Sequence, residues 1–215
     1  MAEIIFNGPA GRLEGRYTQQ GGKGTPIAII LHPLPQLGGT MNHPVAHQLY
    51  KIFIERNFTT LRFNFRGVGR SEGKFDHGVG ELLDAAAALD WLQNFNADAR
   101  QCWIAGYSFG AWIGMQLLMR RPEITGFISI SPPANLYDFS FLAPCPASGL
   151  ITHGDQDKIA LREDIMEMVG HLQMQEDIDI RYKNIAGANH FYDNHIDKLD
   201  ALVNAYLDER FSEAE

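Results

Sequence analysis

Residues 102–111 read CWIAGYSFGA, and the fold turns on how this stretch is read. Cys102 to Tyr107 form a short apolar run of strand type, while the residues after Ser108 continue as FGAWIGMQLLMRR with helical spacing. Between them stands Gly106-Tyr107-Ser108-Phe109-Gly110, the G-x-S-x-G pattern of a sharp strand-to-helix turn. Such a turn is so tight that a side chain two positions before or after the serine would collide with neighbouring backbone, and the serine itself is strained. The hydroxyl is thereby presented at the top of a sheet. The N–H groups and positive dipole end of the following helix point to where an oxyanion would form.

Working outward, the same alternation of strand and helix runs along most of the chain. Strands are expected at 27–32, 59–65, 102–107, 127–130, 148–153 and 178–185, and helices at 45–56, 79–95, 108–121, 160–175 and 196–211. Before them, EIIF at 3–6 and LEGRYTQ at 13–19 flank the turn-rich NGPAGR, which reads as an antiparallel hairpin at a sheet edge. The expectation is an α/β fold with about eight strands, mostly parallel, and helices on both faces. No repeat or long linker interrupts it, so residues 1–215 are read as one domain.

Composition narrows the function classes. With 45% hydrophobic residues among 215, the chain can bury a full core. A formal net charge of −8, with no run of lysine or arginine, repels phosphate backbones and argues against a nucleic-acid partner. The N-terminus lacks the basic head and apolar stretch of a signal peptide, and no apolar run approaches the ~20 residues that span a bilayer. A cytoplasmic protein without membrane attachment is expected. Cys102 and Cys145, the two cysteines, fit a reducing compartment and read as structural.

A serine hydroxyl is a weak nucleophile until a base takes its proton and an acid orients that base. After this kind of elbow the partners follow in the order serine, aspartate or glutamate, histidine. Asp155 and Asp157 both lie in HGDQDKI after the strand at 148–153, and His190 lies in AGANHFYD after the last strand. All stand at the carboxyl edge of the sheet, where open α/β sheets build their sites, and position alone leaves the two aspartates open. Of the donors an oxyanion needs, the Phe109 N–H is one. The second comes from HPLPQLGGTMNH, where Pro33 and Pro35 have no N–H and Leu34 is the candidate. His32 is read as holding that loop by a side-chain hydrogen bond.

Other motifs have plainer readings. Gly67 to Gly73, GVGRSEG, imitates a dinucleotide fingerprint with a wrong last gap, and GGKGT lacks the ending of a P-loop. His43 and His47 have the i, i+4 spacing of a metal pair, but no glutamate follows His43, and Pro44 suggests the first turn of a helix. Trp112, Met115, Leu118 and Met119 are expected to pack a helix against the sheet.

Together, LHPLPQLGG, FNFRGVGRSEG, GYSFGA, HGDQDK and GANHFY resemble the α/β-hydrolase superfamily, and within it the small, cap-less, bacterial esterase-like (dienelactone-hydrolase-like) subgroup. The resemblance covers nearly the whole chain, although Pro33 stands where the superfamily often has glycine. It implies a three-layer α/β-hydrolase fold without a cap domain. It places the acid at Asp157, three residues after the glycine of a strand-end His-Gly, and leaves Asp155 as a turn residue. The implied enzyme is a serine hydrolase of small or short-acyl esters or thioesters, with catalytic Ser108, Asp157 and His190 and no metal or organic cofactor. Its expected partner is a small-molecule ester, and a homodimer is left open. Peptide or lactone cleavage, or acyl transfer, uses the same residues, and a non-catalytic binding protein is the rival of another class. Leu136, Tyr137, Phe139, Phe141 and Leu142, in the loop where many relatives carry a cap, either line an acyl pocket or pack on the core.

Overall fold

Residues 1–212 are described by the structure, a computed structural model. Its eight strands are β1 Ala2–Gly8, β2 Gly11–Thr18, β3 Ile27–Leu31, β4 Thr59–Phe63, β5 Cys102–Tyr107, β6 Gly126–Ile130, β7 Gly149–Gly154 and β8 Ile180–Ile185. Five helices accompany them: α1 Pro44–Glu55, α2 Val79–Phe95, α3 Phe109–Leu118, α4 Arg162–Gln173 and α5 Ile196–Ser212. The strands form one sheet in the order β1-β2-β4-β3-β5-β6-β7-β8. The β1–β2 hairpin joins the edge through an antiparallel β2–β4 pairing, so β2 alone runs against the other seven strands.

Every residue of β3, β4, β5, β6 and β7 is buried, because helices cover both faces, and this is why these strands read as unbroken runs rather than alternating ones. On one face Leu89 of α2, Ile113 of α3 and Ile165 of α4 pack over Ile29, Ile104 and Ile151. On the other, Leu49 and Phe53 of α1 and Val203 of α5 pack over Ile30, Trp103 and Ile128. Three layers result, with the carboxyl ends of β3 to β8 at one edge. No helix among the described residues is long and apolar enough to cross a membrane.

Several local details differ from the sequence expectation. The helix expected over 108–121 spans Phe109–Leu118, since Ser108 takes a positive φ and stands outside it. α4 is also shorter than 160–175, and β3 and β4 end at Leu31 and Phe63, which frees His32 and Asn64 to hold loops. Two short 3₁₀ turns, Pro35–Leu37 and Ser140–Leu142, were not anticipated. The second rolls Phe139 and Leu142 into the core, with Phe139 stacked 6.1 Å from Phe141. Those three residues therefore pack down, while Leu136 and Tyr137 stay at the carboxyl edge.

The Gly67–Gly73 segment is a structural crossing. Five of its seven N–H groups are engaged, Gly67 donating to the Glu72 carbonyl at 3.2 Å, Ser71 to that of Val68 at 2.9 Å, and Val68, Arg70 and Glu72 to Phe65, Glu14 and Arg12. The Ser71 hydroxyl donates to the Asn64 carbonyl at 2.7 Å and accepts the Glu14 N–H at 3.0 Å, tying the loop to β2. Beside it the buried Arg66 makes a two-pronged bond to Asp84 of α2, at 2.9 and 2.8 Å. With most of its donors occupied and the Glu14 and Glu72 carboxylates beside it, the segment is ill suited to cradle a phosphate.

Candidate active site

The turn between β5 and α3 is set by two close approaches. A Cβ on Gly106 would run into the Gly110 carbonyl, and one on Gly110 into the Leu31 carbonyl, so only glycine lets α3 start so near β3. Ser108 itself sits at φ 55°, with its N–H donated to the Ile130 carbonyl at 2.8 Å. That strain is held by the packing on both sides and aims the side chain away from the sheet.

Asp157 and His190 arrive from neighbouring loops, after β7 and after β8, and the loops are stitched together. Gln156 donates its N–H to the Ala188 carbonyl at 2.9 Å, and the Asp155 carboxylate accepts the Gly187 N–H at 2.7 Å. The Tyr107 hydroxyl, buried beneath them, donates to the His190 carbonyl at 2.7 Å. His190 Nε2 is 3.0 Å from Ser108 Oγ, and Nδ1 is 2.8 Å from Asp157 Oδ2. The other Asp157 oxygen accepts the Ile159 and Ala160 N–H groups, both at 2.9 Å. Burial pushes the Asp157 carboxyl up, but the His190 hydrogen bond and charge and these two N–H groups more than offset it, leaving it below the ordinary carboxylate range. An ionised Asp157 takes the Nδ1 proton as its hydrogen bond, which leaves Nε2 as the acceptor facing the serine hydroxyl. Chemically, this is a hydroxyl whose proton has a path to an oriented imidazole. Among the described residues the His190 ring bonds to Asp157, while the Asp155 carboxylate is engaged with Gly187.

The loop after β3 closes the opposite side. His32 is fully buried; its Nδ1 lies 2.7 Å from the Pro33 carbonyl and its Nε2 accepts the Phe65 N–H at 3.1 Å. Both ring nitrogens thus hold loops, and burial, set against the Pro33 bond, lowers its pKa to about 3. The Leu34 carbonyl accepts the Leu37 and Gly39 N–H groups at 3.1 and 3.0 Å. Among the described residues the Leu34 and Phe109 N–H groups have no partner, and both residues border the same cleft as Ser108 and His190.

That cleft has a volume of about 330 Å³, and among the described residues no carboxylate, lysine or arginine lines it. Leu37, Leu136 and Phe191 stand on its rim, 80%, 60% and 53% exposed. One lining residue that sequence reasoning did not place there is His43, at the N-terminus of α1, which the chain delivers 11 positions after His32. Its ring lies 4.9 Å from that of Tyr107, which in turn lies 5.3 Å from His190. His43-Pro44 is a helix start, as Pro44 suggests in the sequence, and it faces the site. Among the described residues no three His, Cys, Asp or Glu side chains are grouped to hold a metal ion.

The family profile of X-Pro dipeptidyl-peptidases, the S15 family, matches residues 16–163. This chain belongs to the S15 peptidase family. The matched stretch carries Ser108 and Asp157 and stops short of His190. A curated relative of the S15-family chain is an uncharacterized protein of Rickettsia prowazekii, 52% identical over 96% of this chain and 89% of its own length. Among solved structures, a protein of unknown function from Agrobacterium tumefaciens, described as a putative α/β hydrolase, superposes with a TM-score of 0.97 at 60% identity, covering 99% of this chain and 97% of its own. An α/β serine hydrolase homologue from Coxiella burnetii reaches 0.85 at 33% identity, over 96% and 97% of the two chains. A lidless α/β serine hydrolase from Xanthomonas campestris reaches 0.82 at 30%, over 93% and 90%. The S15-family chain accordingly has the α/β-hydrolase fold.

Proposed function

We propose that the chain is a serine hydrolase of uncharged carboxylic esters or thioesters with small or short-acyl groups, acting through an acyl-enzyme. Ser108 attacks the carbonyl carbon as His190 Nε2 takes its proton, and Asp157 steadies the imidazolium through Nδ1. The N–H groups of Phe109 and Leu34 stabilise the tetrahedral oxyanion. His190 then gives its proton to the leaving alcohol or thiol, and water, deprotonated by the same imidazole, releases the acid. The observation that carries this reading is the pair of contacts made by His190, 3.0 Å to Ser108 and 2.8 Å to Asp157.

Membership of the S15 family favours a second reading, peptide cleavage after an N-terminal X-Pro. An enzyme that removes N-terminal dipeptides must hold the substrate's α-ammonium, and a buried ammonium needs a carboxylate or several acceptors. Among the described residues the cleft lining includes no carboxylate, which is why esters are preferred here.

The test is fluorophosphonate labelling followed by peptide mass spectrometry on wild type, Ser108→Ala and His190→Ala, with hydrolysis of p-nitrophenyl acetate and of Gly-Pro-p-nitroanilide alongside. Adduct on Ser108 that disappears in both variants, with ester turnover well above anilide turnover, is expected. A folded wild type that takes no label sinks the hydrolase reading, and faster anilide turnover replaces the ester with the peptide.

A further inference from the structure

His43 stands in the cleft with one nitrogen engaged and the other free. Its Nδ1 accepts the Val45 N–H at 3.3 Å, capping α1, so the ring proton resides on Nε2. Nε2 has no partner among the described residues, and the residue borders the cleft beside Ser108 and His190. The two residues before it are clamped by the end of β4 and the residue that follows: Arg62 donates to the Met41 carbonyl at 2.7 Å and to the Asn42 side chain at 2.9 Å, and the Asn64 side chain accepts the Met41 N–H at 2.8 Å. A buried arginine with no carboxylate partner is costly, and here its bonds fix the two residues before His43.

Both His43 and His190 pack against the ring of Tyr107 and border the cleft, and the His190 charge acts on His43, which sets His43 near the His190 side of the serine. In acyl transfer that side belongs to the leaving group, because His190 must hand its proton to the departing oxygen. We infer that His43 presents a neutral Nε2–H donor to the leaving-group part of the substrate, and so selects esters whose alcohol portion carries an oxygen acceptor near the scissile bond. Burial and the nearby His190 lower the His43 pKa to about 4, which keeps the ring neutral, and its Nδ1 able to accept, at neutral pH. His32 acts in the same sense, since a charge on His43 and one on His32 disfavour each other.

The inference rests on the serine-hydrolase reading, and the test keeps the two apart. 2-Methoxyethyl acetate and butyl acetate differ by one oxygen in place of one CH₂, and their alkaline hydrolysis supplies a reference ratio. Wild type is expected to favour the methoxyethyl ester in kcat/KM by roughly 3- to 10-fold beyond that reference, the worth of one neutral hydrogen bond. In His43→Asn the excess disappears while the melting temperature holds, since asparagine still caps α1. His43→Ala loses cap and donor together, so the same loss of preference comes with a lower melting temperature. A wild-type ratio at the reference, an excess that persists in both variants, or no turnover of either ester overturns the role of His43 even when Ser108 takes the fluorophosphonate label. Failure of wild-type Ser108 to label overturns the hydrolase reading, and this inference with it.

Discussion

Asp155 and Asp157 stand two residues apart in one turn, and their surroundings divide them. Asp155 spends its carboxylate on the Gly187 N–H, whereas Asp157 is buried against His190 and two further N–H groups. Under the proposed mechanism Asp157→Asn keeps the shape but offers an amide to Nδ1, which turns the imidazole tautomer and points an N–H at Ser108. Ester kcat is expected to fall on the order of 10⁴-fold, as tautomer errors do in such triads. Asp155→Asn keeps an acceptor for Gly187 and should stay within several-fold of wild type. Steady-state kinetics on both variants decide it, and equal losses would remove the distinction. Because the Asp157 pKa is lowered, its ionised form stabilises the fold above the ordinary aspartate range, and this contribution is lost as pH falls through its depressed value.

At the scale of elements, the loop from His32 to His43 is built on histidines that fold neutral. His32 has a folded pKa of about 3 against about 6.5 unfolded, so the unfolded chain binds the proton first as the solution is acidified. The sign follows: stability is complete above pH 6.5 and declines toward pH 3. His43, at about 4, adds to the same decline. Urea midpoints taken from pH 7 down to pH 4.5 should therefore drop steeply in wild type and less steeply in His32→Gln, which is also less stable at pH 7. Equal slopes would mean that other groups govern the acid limb. A second prediction concerns α3 against β3. Gly110→Ala must push a methyl into the Leu31 carbonyl, and a cost of about 1–3 kcal/mol, read from chemical denaturation, is expected, with loss of ester turnover because the elbow moves.

These elements also explain what a reader of the sequence can and cannot see. The alternation of apolar runs with helical spacing is local, so the strands and helices were legible to within a few residues, and Gly106 and Gly110 marked the elbow because their need is steric. The clamp of Arg62 on Met41 and Asn42, the bond from Tyr107 to the His190 carbonyl and the choice between Asp155 and Asp157 all join residues 20 to 83 positions apart. No periodicity announces such contacts. Phe139, Phe141 and Leu142 were equally ambiguous, since an aromatic loop residue looks the same whether the next 3₁₀ turn rolls it inward or leaves it on a rim.

Over the whole molecule, a formal charge of −8 surrounds a cleft whose own lining is uncharged. The net field acts on a substrate during approach, while the lining acts after it arrives, and the two are separable by salt. An anionic ester, such as a succinate monoester, is repelled at low ionic strength, when the ~30 Å screening length at 0.01 M lets the whole surface contribute. Raising salt to 0.15 M shortens that length to ~8 Å and should raise its kcat/KM several-fold. The matching neutral diester feels neither effect, so its kcat/KM should stay flat across the same range. Because the lining provides no cation to receive the carboxylate, the anionic ester should still trail the neutral one when screening is complete, and the remaining gap measures the cost of desolvating a charge in the cleft. Identical salt profiles for the two esters would show that the acidic surface is too far from the cleft to matter, and an anionic ester that overtakes the neutral one at high salt would contradict the uncharged-substrate reading itself.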